Sequence, residues 1–150
     1  DTDTDTDTDT DTHVTGAGWS FGECTGGCVG TLSISGTALS YIVSNHEGGT
    51  VWETSGTFTD EGLSSLESIE AGLPPISAID AVYVCPDCAD GGAAWMAVSQ
   101  GTDTLTSTYE YFDPPAVWVD SDEYLFNVML RLENCDDEWF LTVDPTCVPR

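Results

Sequence analysis

Apolar and small polar residues take turns through much of residues 29–58, and this period of two is the strongest constraint on what the chain can fold into. In an extended strand such alternation sends successive side chains to opposite faces, so one face packs while the other meets water. "VGTLSIS" and "ALSYIVS", joined at Gly36, read as a hairpin with Leu32, Ile34, Leu39, Tyr41 and Val43 facing inward. "NHEGG" reads as a loop and "TVWETSGTF" as the next strand. Upstream, "HVTGAG" reads as a linker, after which Trp19 and Phe21 alternate with small residues as a strand does. Further strands are expected in "AIDAVYV", "AAWMAVS" and "TLTSTYEYF", the last two hinged at Gln100 and Gly101, and finally in "EWFLTV".

Two stretches switch to a helical period. Asp60 is expected to cap a short helix whose Leu63, Leu66, Ile69 and Leu73 fall on one stripe, stopped by Gly72 and Pro74. Asp120 and Glu123 resemble a capping pair for a second helix, with Tyr124, Leu125, Val128, Met129 and Leu132 as its apolar residues. The expected fold is therefore α+β: a strand-dominated, mostly antiparallel sheet with two helices on one face, preceded by an extended amino-terminal segment. Residues 1–15 are read as an extended Asp-Thr repeat and linker, and 16–150 as one domain long enough to bury a core.

Six cysteines are spaced as Cys24-x3-Cys28, Cys85-x2-Cys88 and Cys135-x11-Cys147. Connectivity cannot be deduced from spacing, and the expectation is three local disulfides, each stapling one loop. Two other chemistries fit the short pairs: four thiolates holding a structural zinc, or a redox dithiol at Cys85 and Cys88. The dithiol lacks the strand-to-helix setting of a thioredoxin-like site.

Charge excludes whole classes of partner. The chain carries 27 acidic residues against Arg131 and Arg150, with no lysine. Such a field repels nucleic acid and anionic membrane surfaces, and it attracts divalent cations or a basic partner. No run approaches the ~20 apolar residues of a membrane span. No signal peptide and no amino-terminal anchor cysteine is read, and a start at Asp reads as a processed chain. With six cysteines, this suggests an oxidising, extracellular location.

Asp1, Thr2, Asp3, Thr4, Asp5, Thr6, Asp7, Thr8, Asp9, Thr10, Asp11 and Thr12 alternate strictly. Extended, they put six carboxylates on one side, ~6.6 Å apart, and six threonines on the other. Such a segment suits three roles. It can be an assembly strand added to a neighbour's sheet edge, or a flexible spacer. It can also be a glycan-bearing stalk with Thr2, Thr4, Thr6, Thr8, Thr10 and Thr12 as acceptors. Calcium is a candidate cofactor, with weak oxygen-ligand clusters at Asp87 and Asp90 in "DCADGG" and at Asp120, Asp122 and Glu123 in "DSDE". Neither matches an EF-hand; one also reads as a turn, the other as a helix cap.

"YVCPDCADGGAAW", with "GWSFGECTGGC" upstream and the Asp-Thr run, resembles a group of uncharacterised bacterial surface proteins, commonly lipoproteins with a low-complexity spacer before a small cysteine-containing domain. The resemblance spans roughly residues 13–112. The chain departs from it by lacking the anchor cysteine and by adding the segment from Cys135 to Cys147. It implies a surface location and no activity.

The leading expectation is a non-enzymatic, secreted subunit of an extracellular filament, a head-to-tail homopolymer whose amino-terminal segment contacts the next subunit. The alternative is a monomeric, surface-displayed binding module on an Asp-Thr spacer. A hydrolase using His46 is a third; His13 and His46 are the only neutral-pH bases, and no nucleophile motif stands beside either.

Overall fold

The computed structural model describes residues 10–22, 24–86 and 91–150. Seven strands form one sheet: β1 (His13–Ser20), β2 (Val29–Ser35), β3 (Ala38–Ser44), β4 (Thr50–Phe58), β5 (Ala93–Gln100), β6 (Asp103–Glu110) and β7 (Leu141–Val143). Their order is β6-β5-β1-β2-β3-β4-β7, and every neighbouring pair is antiparallel. Helix α1 (Asp60–Glu70) carries the chain from β4 back toward β5, and α2 (Val119–Asn134) carries it from β6 back to β7. No helix is long and apolar enough to cross a membrane among the described residues.

Both helices pack on the same face. Leu66, Leu125, Val128 and Leu132 share one core with Leu32, Leu39, Tyr41, Val43, Met96, Val98 and Tyr109 from the strands. Among the described residues the opposite face of β2–β4 is open to water, with exposed Thr31, Ser33, Ser40, Ser55 and Thr57 at alternate strand positions. Gly36 and Gly101, each with φ 59°, take the positive-φ position of their hairpin turns.

Two local expectations are corrected. "HVTGAG" is no linker: it opens β1, the strand paired with both β2 and β5. Its Gly18 makes room for a ring, since a Cβ there would collide with the Trp95 indole and the Gly30 carbonyl. "AIDAVYV" is not a strand. A short 3-10 helix (Ile76–Ala78) ends on its first residue, and Val82 makes only an isolated bridge to Thr108. Ile79 and Tyr83 of this segment pack on the core while Val82 and Val84 stay 59% and 82% exposed, so the alternation is met by an irregular segment docked beside β6 rather than by a strand.

The helix caps also differ. Thr59, not Asp60, caps α1, its hydroxyl accepting from Gly62 N at 3.1 Å. Asp60 and Glu61 occupy the first turn, where the helix dipole favours acids. At α2 no side chain caps the helix. The start of α2 is held instead by fully buried Trp118, whose Nε1 donates to Ser107 Oγ at 2.9 Å while that hydroxyl donates to the Asp80 carbonyl at 2.8 Å.

The end of the Asp-Thr repeat lies against its own domain. Thr12 is 3% exposed and donates its hydroxyl to the Pro74 carbonyl at 2.9 Å, and Gln100 Nε2 donates to the Thr10 carbonyl. Thr12 is thus withdrawn as a glycan acceptor and as part of an intermolecular strand, because its side chain is already buried in cis. Positions 1–9 of the assembly segment, with Thr2, Thr4, Thr6 and Thr8, lie outside the described residues.

Candidate functional site

Residues three and four apart share a flank of a helix. On α2, Leu125, Val128 and Leu132 make the fully buried stripe against the sheet. Part of a turn around lie Asp122, Phe126, Met129, Leu130 and Glu133, and this flank borders a groove. Two adjoining cavities of about 430 and about 290 Å3 share Trp19, Tyr111, Phe126, Met129 and Leu130 in their walls.

The walls are aromatic. Ring centroids run Trp19 to Phe21 at 5.5 Å, Phe21 to Tyr111 at 4.7 Å and Tyr111 to Phe112 at 4.0 Å, while Phe126 lies 6.2 Å from both Tyr111 and Phe112. Phe112 follows the end of β6 with φ 66°, left-handed backbone that a bulky side chain rarely adopts, and it is 78% exposed.

Carboxylates stand at both ends. At the larger cavity Asp122 accepts the Tyr109 hydroxyl at 2.6 Å, and Glu123 lies beside it in the wall. Burial holds the Asp122 carboxyl above its usual range, although the Tyr109 bond pulls the other way. Tyr109 is itself raised by burial and then by its bond to Asp122, so it stays a neutral donor. At the smaller cavity Trp19 Nε1 donates to Tyr41 Oη at 2.9 Å, and Tyr41 donates to Glu133 Oε1 at 2.7 Å. Burial, then Glu133, raises the Tyr41 phenol as well. Arg150 closes this end: its Nη1 donates to Glu133 Oε1 at 3.1 Å and its guanidinium carbon sits 5.7 Å from the Trp19 ring centre.

Both described disulfides border the groove. The Cys24–Cys28 bridge closes the loop after β1, where Phe21 N donates to the Cys28 carbonyl at 2.9 Å and Gly27 lines the smaller cavity. The Cys135–Cys147 bridge ties the segment after β7 to the end of α2, and Arg150 N then donates to the Glu133 carbonyl at 2.9 Å. Cys85 is disulfide-bonded, while Cys88, its expected partner, lies outside the described residues. The zinc reading fails at Cys24 and Cys28, whose sulfurs are bonded to each other and cannot serve as thiolates.

The other anticipated residues scatter. Asp122 faces the aromatic groove, whereas Asp120 lines a separate cavity beside Ile69 and Leu73. Asp87 and Asp90 lie outside the described residues. Among the described residues, the metal-type group brought within 4.8 Å is Cys24, Cys28 and His46, two of whose three members are the bonded sulfurs. His46 is exposed in the turn before β4, and His13 Nδ1 lies 3.1 Å from Glu70 Oε2 in the wall of a separate cavity beside Thr12 and Gln100.

The sequence reading missed Tyr111, Phe112, Phe126, Glu133 and Arg150. A usable signal was present: Phe126 stands off the buried stripe, with Asp122 four residues before it and Leu130 four after.

Comparison of the chain with models of known protein families, with curated proteins and with solved structures returns no match. Among the described residues the fold and the site define a two-layer α+β domain, with both helices on one sheet face and an aromatic groove flanking the second helix.

Proposed function

We propose that this chain is a non-enzymatic, surface-displayed binding module and that the groove along α2 is its ligand site. Phe112 carries the proposal. A large apolar side chain left 78% exposed in left-handed backbone contributes little to the core and costs the fold conformational energy. Such a residue is better accounted for by contact with something outside the chain. Among the described residues the groove walls hold rings and carboxylates but no Ser, Thr, Cys, His or Lys, a lining suited to recognition. The amino-terminal repeat is then a spacer whose last residues anchor on the domain. Filament assembly would have to draw on residues 1–9.

Replacing Phe112 by glycine tests the reading without knowledge of the ligand. Relief of the left-handed backbone is expected to outweigh the lost ring contacts, so Phe112→Gly gains about 0.5–1 kcal/mol in urea unfolding. A loss of stability instead would assign Phe112 to packing and remove the support for the groove. Sedimentation of the whole chain in millimolar calcium is expected to give a monomer. Large regular particles that need residues 1–12 would restore the filament.

A further inference from the structure

The two ends of the groove are built from the same parts, and one end is already filled. At the smaller cavity the chain seats its own guanidinium: Arg150 lies over the Trp19 ring at 5.7 Å and pairs with Glu133 at 3.1 Å. An aromatic face with a carboxylate beside it is the environment that favours a planar cation. The larger cavity repeats that pairing with Tyr111, Phe112 and Phe126 as rings and Asp122 and Glu123 as acids.

We propose that the larger cavity takes a second guanidinium, the side chain of an arginine on a basic polypeptide partner. The inference rests on the groove being the ligand site. Charge favours it at long range, since 27 acids against two arginines draw basic partners and repel anionic ones. Both arginines of this chain are already paired, Arg150 with Glu133 and Arg131 with Asp136 and Glu138. The occupant must therefore come from outside unless a pair breaks. At about 430 Å3 the cavity is large enough for a side chain and its flanking backbone. Arginine is preferred to lysine because a flat guanidinium stacks on rings while its N–H groups reach a carboxylate, which a compact ammonium does less well.

The test compares N-acetyl-arginine amide with its neutral isostere N-acetyl-citrulline amide by calorimetry on the intact chain. The arginine compound is expected to bind about tenfold more tightly, between the ratios that exposed and desolvated cation–ring contacts supply. Asp122→Asn and Phe112→Gly should each weaken it several-fold. Equal binding of the two compounds would overturn the cation assignment, and so would failure of both to bind. Arginine binding untouched by either substitution would reduce the effect to general attraction by the acidic surface, which also overturns it. None of these results bears on the sign of the Phe112→Gly stability change, so the groove and its ligand class fail separately.

Discussion

The two flanks of α2 rest on one sheet and end differently. On one flank Tyr124 stacks with Phe58 at 6.1 Å and meets Phe140 at 5.7 Å, and its hydroxyl donates to the Gly62 carbonyl in α1 at 2.7 Å. Space there is used up: a Cβ on Gly62 would collide with the Phe140 carbonyl. Burial alone pushes the Tyr124 phenol up to about 12. On the other flank no helix stands opposite among the described residues; the turn after β6 and the loop after β1 leave Phe126, Leu130 and Phe112 around open cavities. Similar residue types thus serve two ends. Where a second helix covers them they hold the fold, and where no described element does they line open cavities, the surface proposed above for recognition.

The largest effect that can break this contrast is in the core. Leu132→Ala, on the fully buried stripe, should lose about 3 kcal/mol, whereas Leu130→Ala, 47% exposed on the groove flank, should stay within about 0.5 kcal/mol. Similar losses in urea unfolding would mean that the groove flank is packed after all. Next comes the Cys135–Cys147 bridge, which spans 12 residues. Replacing both cysteines by serine should destabilise the chain by about 2–3 kcal/mol and release Arg150 from Glu133. An unchanged Trp emission spectrum would show that Arg150 holds its place over Trp19 without the bridge.

The smallest effect is in pH. Asp122 has its folded pKa raised above the ordinary 3.8 by burial, so the folded state holds its proton longer than the unfolded chain does. Stability from this group is present below 3.8 and is lost as pH rises through the folded pKa. The melting temperature of the wild type relative to Asp122→Asn should therefore fall as pH rises above 3.8 and then level off. A relative rise over that window would place Asp122 in a stabilising ion pair instead.

Much of the sheet was legible. "VGTLSIS", "ALSYIVS" and "TVWETSGTF" became β2, β3 and β4, because alternation and a glycine turn act over a few neighbouring residues. Of β1 the end at Trp19 was read as strand, but its first part was not legible, since Gly18 answers to the ring of Trp95, which only the folded sheet brings beside it. The α2 stripe was read, yet its cap was not, because buried Trp118 rather than an acidic pair fixes the start. The groove was hidden for the same reason. Arg150 reaches Trp19 on a tail held by the Cys135–Cys147 bridge, by Trp52 and by Glu133, and no local pattern announces a contact across 131 positions.

The most direct test of the central claim is a set of amide spectra of the intact chain titrated with N-acetyl-arginine amide. Shifts confined to Trp19, residues 111–113 and residues 122–130 are predicted. Shifts spread over the exposed acids of α1 and the β5–β6 turn, with the groove silent, would contradict it.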